Sequence, residues 1–425
     1  MVQEVWGLLA SESYTNTRRV RSLGVAASIR LFNELAVPGL GGVWYGKQLF
    51  LATLGVLIAE KTGKNKIEVS NAIEALACWL AYQSIEGTDS RLRGSSKLPS
   101  FNENELSYQR VSQVSFYVTQ PMRMATAQAL PTLGFVEAGS TRFNSFQCTE
   151  EGVRFVEEVT AAYSPYKQSV VKYLTSWVND EKNIIKVSPS LVDALSPLHP
   201  LSDTAKKILR ERLVRGRCSN EIPEDRQRRC NALQWVESYK GKNGSPIPVI
   251  WEAKPEMIDE QHWQDLRAGA LFIKLRNEAL NTLNVLENHI GGRTDGQSYS
   301  LVSKEVPEAV GWAIAGLRMA AKQYQDCQHT DEVAKQFCNG CLSDDRQVLK
   351  FLVERDGQVL RLTGSLIQPG PAFMGNQAGR NGIVADEQGI SDNTENISYR
   401  LHNLFLLSLD LNGKLDAWLS DEAKK

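Results

Sequence analysis

The sequence predicts a mainly α, multi-domain protein with a small β-hairpin near its C-terminus. Three observations carry that expectation. Apolar residues recur at helical spacing through most of the 425 residues. Two stretches rich in Gly, Ser and Pro, Gly87–Ser100 and Lys240–Met257, interrupt the pattern as linkers do. Strand-like wording is confined to short runs, such as the two apolar runs around Asp356-Gly357.

The bulk properties set limits. Apolar residues are 42% and charged residues 23%, ordinary for a globular chain able to bury large cores. The length suggests two to four packed units. Net charge is -1, so binding to nucleic acid or an acidic membrane would need a local patch. The start of the chain carries Glu4 and no small-residue cleavage site, unlike a signal peptide. The longest apolar run, Leu49–Ala59, has 11 residues, whereas a membrane span needs about 20, so a buried helix and no membrane partner are expected. Seven cysteines without an export signal fit a cytoplasmic protein with free or metal-bound thiols.

The elements follow in order. Residues 1–98 read as a helical N-terminal domain, in which Ile67, Ala72, Leu76 and Trp79 or Leu80 define a buried helix face. Residues 101–162 form a second module. Residues 163–240 read as helical, beginning with "YKQSVVKYLTSWV", and residues 260–345 as long helices ending in a Cys/His cluster. Residues 346–425 hold the hairpin, a Gly/Asn-rich loop over Pro369–Asn396 and a closing helix from Ile397 to Leu419.

In the second module, Thr119 is a candidate cap and Pro121 sits in the first turn of a helix that buries Met122, Ala125, Ala129 and Leu133. Gly134 suits a left-handed helix end. "FVEA" and "FQCT" read as short strands around the connector "GSTRFNS", and Thr149 caps a further helix. The wording "LPTLGFVEAGSTRFNSFQCTEEG" resembles the winged-helix superfamily over about residues 106–160. The resemblance implies that the helix before the first wing strand faces DNA, with Arg123, Thr126 and Gln128 toward bases and Arg142 on the wing. Pro131 departs from the pattern and should kink or end that helix. Charge also opposes simple DNA reading. Residues 101–162 hold four arginines against seven glutamates, a balance of -3. Protein docking by such a module is the competing expectation.

Positive charge concentrates in Ala205–Cys230. Nine bases stand against four acids there, a balance of +5. Lys206, Lys207, Arg210, Arg215 and Arg217, with Arg228 and Arg229, are the candidate phosphate contacts, alongside Arg212 and Arg226. A solvated helix face with internal ion pairs is the alternative. A smaller group, Arg18, Arg19 and Arg21, lies near the start.

"CQHTDEVAKQFCNGC" supplies Cys327, His329, Cys338 and Cys341, four ligands suited to tetrahedral structural Zn2+, with Asn339-Gly340 allowing a tight turn. Cys218 or Cys230 could assist, and unliganded thiols are the alternative. Gly41, Gly46 and Lys47 follow the G-x4-G-K spacing, but Gln48 stands where a phosphate loop needs Ser or Thr, so no nucleotide is expected. "VIWEAK" offers Glu252 and Lys254 as a minimal nuclease wording.

The leading expectation is a non-catalytic, nucleic-acid-engaging or adaptor subunit of a larger cytoplasmic assembly. Its partners would be other protein subunits and DNA or RNA, and bacterial genome maintenance or antiviral defence is a natural setting. The alternatives are a dimeric winged-helix transcriptional regulator and a metal-dependent nuclease using Glu252 and Lys254.

Overall fold

The computed structural model describes residues 21, 23–85, 87–113, 115–217, 221–239, 251–293, 298–303, 305–375 and 397–422. Among the described residues the chain is mainly helical, with two small antiparallel sheets. In chain order the helices are α1 (Ala26–Ala36), α2 (Gly46–Thr62), α3 (Lys66–Tyr82), α4 (Tyr108–Val111), α5 (Met122–Thr126) and α6 (Ala129–Thr132). After β1 (Val136–Ala138) and β2 (Phe146–Cys148) come α7 (Glu150–Thr160), α8 (Val170–Asn179), α9 (Pro189–Leu195), α10 (Asp203–Arg215), α11 (Pro223–Ser238) and α12 (Glu260–Gly291). Then follow β3 (Tyr299–Ser300), α13 (Glu308–Gln325), α14 (Glu332–Cys341), α15 (Asp345–Asp356), β4 (Leu360–Thr363), β5 (Leu366–Pro369), α16 (Tyr399–Leu411) and α17 (Leu415–Glu422).

Instead of five consecutive domains, the chain forms two compact units, each assembled from separate segments. One is Asn33–Leu266 with Ile397–Lys425; the other is Met1–Phe32 with Arg267–Asn396.

The first unit is built around α2, which is buried from Gly46 to Ala59. The expected buried helix at Leu49–Ala59 is therefore its centre. Gly55 lets α3 approach closely, because a Cβ there would run into Ser70. The start of α2 explains the failed phosphate-loop wording. The Gln48 side chain accepts the backbone amides of Trp44 (2.9 Å) and Tyr45 (3.4 Å), closing the helix N-terminus. Lys47 is buried and donates to the Ala194 carbonyl at 2.7 Å. The stretch Gly87–Ser100 does not separate domains. Leu92 and Leu98 are buried in the same core, and Arg91 binds Asp89 and Asp416.

The module at 106–160 keeps the expected order of helix, strand, connector, strand, helix. β1 and β2 pair antiparallel, Val136 opposite Cys148 and Ala138 opposite Phe146. Thr149 caps α7 by accepting the Gly152 amide, and Gly134 is left-handed at φ 74°. Two details differ. Thr119 is not the cap: α5 starts after Pro121, and its amides are taken by Glu74 from α3. The helix is also broken between α5 and α6, with Pro131 inside the second, four-residue piece.

The second unit packs α13, α14 and α15, with part of α12, against a three-stranded sheet ordered β3-β5-β4. The hairpin exists, but its turn is Gly364-Ser365; Asp356-Gly357 ends α15, with Gly357 left-handed at φ 60°. Val348, Leu349, Leu352 and Val353 repeat at helical spacing, which overrides the strand reading of that run. Of the Pro369–Asn396 loop, residues 376–396 lie outside the described residues. Met374 and Gly375 donate their amides to Glu287. Arg21 is buried between Glu287 (2.8 Å) and Asp356 (3.3 Å); Arg18 and Arg19 lie outside the described residues. The closing helix is two helices, α16 and α17, divided at Gly413 (φ 67°).

Candidate nucleic-acid interface

The residues that the sequence nominates for nucleic acid are mostly engaged within the first unit. Arg123 donates to Asn71 at 2.6 Å and lies 5.6 Å from the Phe143 ring centre. Gln128 donates to Glu34 at 2.6 Å and accepts from Arg400 at 2.8 Å, and Thr126 is buried. Arg142 is exposed at the connector between β1 and β2.

The +5 segment occupies α10 and α11, and several of its charges are neutralised locally. Arg210 grips Glu237 through both nitrogens, at 2.5 and 2.6 Å. Arg215 pairs with Glu211 one turn earlier (2.8 Å), and Lys206 with Asp203 (3.7 Å). Arg228 reaches Asp265 at 2.7 Å. Arg229 is fully buried, binds both oxygens of Glu221 and donates to the Leu213 carbonyl at 2.9 Å. Arg212 donates to the carbonyls of Leu133 and Gly216. Arg217 lines a 290 Å3 pocket with the carboxylates of Glu34, Glu221 and Asp225. Burial, then the Glu34 charge, pushes the Asp225 carboxyl up. Lys207 and Arg226 are exposed. The alternative of internal ion pairs thus describes much of the segment.

The described residues nominated for zinc are not brought together into one ligand group. Among the described residues no three His, Cys, Asp or Glu side chains are gathered to hold a metal. Asn339-Gly340 is not a turn but lies inside α14, where a Cβ on Gly340 would collide with the Phe351 ring. Cys338 and Cys341 are buried, and burial pushes their thiols up to about 11 and about 12. Cys338 donates to the Ala321 carbonyl at 3.1 Å. His329 accepts the Asp331 amide and packs 4.7 Å from Phe32. Cys327 is half-buried and bonds within its own helix end. Cys230 is bonded to the Val214 carbonyl; Cys218 lies outside the described residues. Of the nuclease wording, residues 249–250 lie outside the described residues; Glu252 is exposed in a turn, and Lys254 donates to the Ile258 carbonyl at 2.6 Å.

A different patch of the first unit has the makings of an interface. In "SPYKQSVVKY", Tyr166 and Lys167 are consecutive non-glycine residues with positive φ, 48° and 62°. Left-handed backbone costs an ordinary L-residue roughly 1–2 kcal/mol, so the surroundings must hold this turn. They do so by hydrogen bonds. Lys167 and Gln168 return amides to Ser164 and Pro165, and Ser169 caps α8 by accepting the Lys172 amide. The turn brings Tyr166 against Tyr173 of α8, ring centres 5.6 Å apart at 29°, a stacked pair. Both hydroxyls are tied to the same neighbouring segment: Tyr166 donates to the Val187 carbonyl (3.0 Å) and Tyr173 to the Lys186 carbonyl (2.7 Å). Burial, then the neighbouring Tyr166, raises the Tyr173 hydroxyl pKa, so it stays a neutral donor.

Anchored by their polar ends, the two rings are unequally exposed: Tyr166 is 50% exposed, whereas Tyr173 is half-buried against the core and supports it from beneath. Lys167, Lys172 and Lys186 adjoin them along the chain or through those bonds, and all three are exposed. No carboxylate of the described residues pairs with any of them. Glu181, which follows α8, is paired with Lys64. Charge density and the winged-helix resemblance both point to other residues, so this patch is not among those the sequence nominates. The signal was the pairing of each tyrosine with a lysine neighbour, seven residues apart.

The second unit has a wide groove of 1520 Å3 bordered by His289, Tyr299, Arg318 and Arg346. Its charge is mixed: Arg318 pairs with Asp345 at 2.7 Å, and Arg346 donates to the Ser303 carbonyl. It offers no field of one sign.

Compared with known proteins, the chain matches no family model, no curated protein and no solved structure.

Proposed function

We propose that this protein is a non-catalytic subunit that engages single-stranded nucleic acid on the Tyr166–Tyr173 platform. The observation that carries the reading is the stacked tyrosine pair with exposed, unpaired Lys167, Lys172 and Lys186 beside it. Aromatic faces accept any base, and lysines beside them attract the backbone phosphates, which is how proteins hold single strands without reading sequence. Duplex bases are already stacked and closed to such a platform. The net charge of -1 agrees with a local footprint rather than a global one.

The winged-helix likeness of residues 106–160 belongs to the same proposal as an accessory contact through the exposed Arg142, or as a scaffold within a larger cytoplasmic assembly. The engagement of Arg123 and Gln128 inside the unit favours the scaffold role. No helix among the described residues is long and apolar enough to cross a membrane.

The test is fluorescence anisotropy with labelled oligothymidylate, oligouridylate and a duplex of equal length. The single strands should bind more tightly than the duplex, and affinity should fall steeply between about 50 and 200 mM salt. The two single strands separate a DNA from an RNA preference. Absence of single-strand binding at the lower salt removes the proposal.

A further inference from the structure

Helix α13 has two apolar faces, and only one is buried. Val310, Ala313, Ile314, Leu317, Ala321 and Tyr324 point into the second unit. The other face carries Trp312, 74% exposed, and Met319, 62% exposed, with exposed Ala315 between them. A tryptophan left this open on a helix interior is a strong sign of an absent neighbour.

The exposed face has a regular spacing. Glu308, Trp312, Ala315, Met319 and Lys322 are all exposed and are separated by four, three, four and three residues. That is the seam spacing of paired helices. The order along the seam is acid, large apolar, small, large apolar, base. Reversed end to end, it becomes its own complement. Two copies of α13 crossing antiparallel at Ala315 would set Glu308 of each against Lys322 of the other. Trp312 of each would lie against Met319 of the other, a favourable sulfur–aromatic contact. Ala315 at the centre allows close approach. No carboxylate or amine of the described residues pairs with Glu308 or Lys322.

We infer that the outer face of α13 is a two-fold homodimer contact, and that its occupant is α13 of a second copy of this chain. A two-fold contact requires one patch to complement itself, and this patch does. The inference does not depend on the nucleic-acid reading, since the tyrosine platform belongs to the other unit.

Sedimentation velocity of the full chain across a concentration series tests it. The wild type should show a concentration-dependent monomer–dimer equilibrium, and Trp312→Glu should be monomeric with an unchanged circular dichroism spectrum. Glu308→Lys alone and Lys322→Glu alone should each weaken dimerisation about tenfold, because each places two like-charge pairs in the contact. The double variant Glu308→Lys/Lys322→Glu should restore wild-type dimerisation. A chain that stays monomeric up to roughly 100 μM overturns the inference, as does a dimer insensitive to Trp312→Glu. Failure of the double variant to recover from the single ones overturns the antiparallel arrangement.

Discussion

The carboxylate of Glu74, buried on α3, caps α5 from outside by accepting the Met122 amide at 2.5 Å and the Arg123 amide at 3.1 Å. It also accepts the Tyr117 hydroxyl at 2.7 Å. This long-range cap replaces the local one that Thr119 was expected to supply. Burial, against the lowering effect of those bonds, raises the Glu74 carboxyl above its ordinary 4.5. A carboxyl raised in the folded state contributes stability that is fully present below the unfolded pKa and is lost as pH rises through the folded value. Glu74→Gln should therefore flatten the stability-versus-pH curve above about pH 4.5 relative to wild type. Glu74→Ala leaves two amides and a hydroxyl unpaired and should cost about 2–5 kcal/mol. Urea unfolding across pH checks both.

Lys47 gives the opposite slope. Burial, opposed by Asp410 and Asp193, lowers its ammonium from 10.5 to about 7. The unfolded chain then holds the proton more tightly, so this residue's contribution is present above pH 10.5 and lost as pH falls toward 7. Lys47→Met should remove that rise in stability between pH 7 and 10.5, a change of a few kcal/mol in the wild type by order of magnitude. The difference between the two urea-unfolding curves measures it.

Arg229 and Arg215 lie in one basic segment but should behave differently. Arg229→Ala removes a fully buried guanidinium and leaves half-buried Glu221 and the Leu213 carbonyl without it, at a cost of about 3–5 kcal/mol. Arg215→Ala removes an exposed pair on α10 and should stay within about 0.5 kcal/mol. Thermal unfolding of both variants checks this. Loss of nucleic-acid binding by an Arg229 variant would then report lost folding, not a lost phosphate contact.

Gly340 should reverse an ordinary rule. Alanine normally stabilises a helix interior by about 1 kcal/mol over glycine. Here its Cβ would strike the Phe351 ring, so Gly340→Ala should destabilise by about 1–3 kcal/mol. Phe351→Leu should suppress that loss when combined with it. A double-mutant cycle on the melting curves reads the coupling.

What could be read from the sequence was mostly local. The apolar run Leu49–Ala59, the Thr149 cap and left-handed Gly134 follow from a few neighbouring residues, and the structure has them as expected. What could not be read depends on partners far away in the chain. Gly87–Ser100 has linker composition, yet Arg91 is held by Asp416, 325 residues away. The arginines of α10 and α11 looked like a free cluster because Glu237, Asp265 and Glu221 reach them only after folding. The cysteine spacing suggested a zinc loop, whereas helical continuation through Asn339-Gly340 turns Cys338 and Cys341 into the core. The pairing of Tyr166 and Tyr173 with neighbouring lysines does not by itself reveal a platform, because the stacking needs the left-handed turn at Tyr166-Lys167.

The most direct test of the central claim is ultraviolet cross-linking of the intact protein to labelled oligouridylate and oligothymidylate, with the joined peptide identified by mass spectrometry. The account predicts cross-links at Tyr166 or Tyr173. It also predicts that binding falls about 5- to 150-fold in Tyr166→Ala, the equivalent of about 1–3 kcal/mol for one stacked base. Cross-links confined to α5 or to the α10–α11 segment, with Tyr166→Ala binding like wild type, would contradict it.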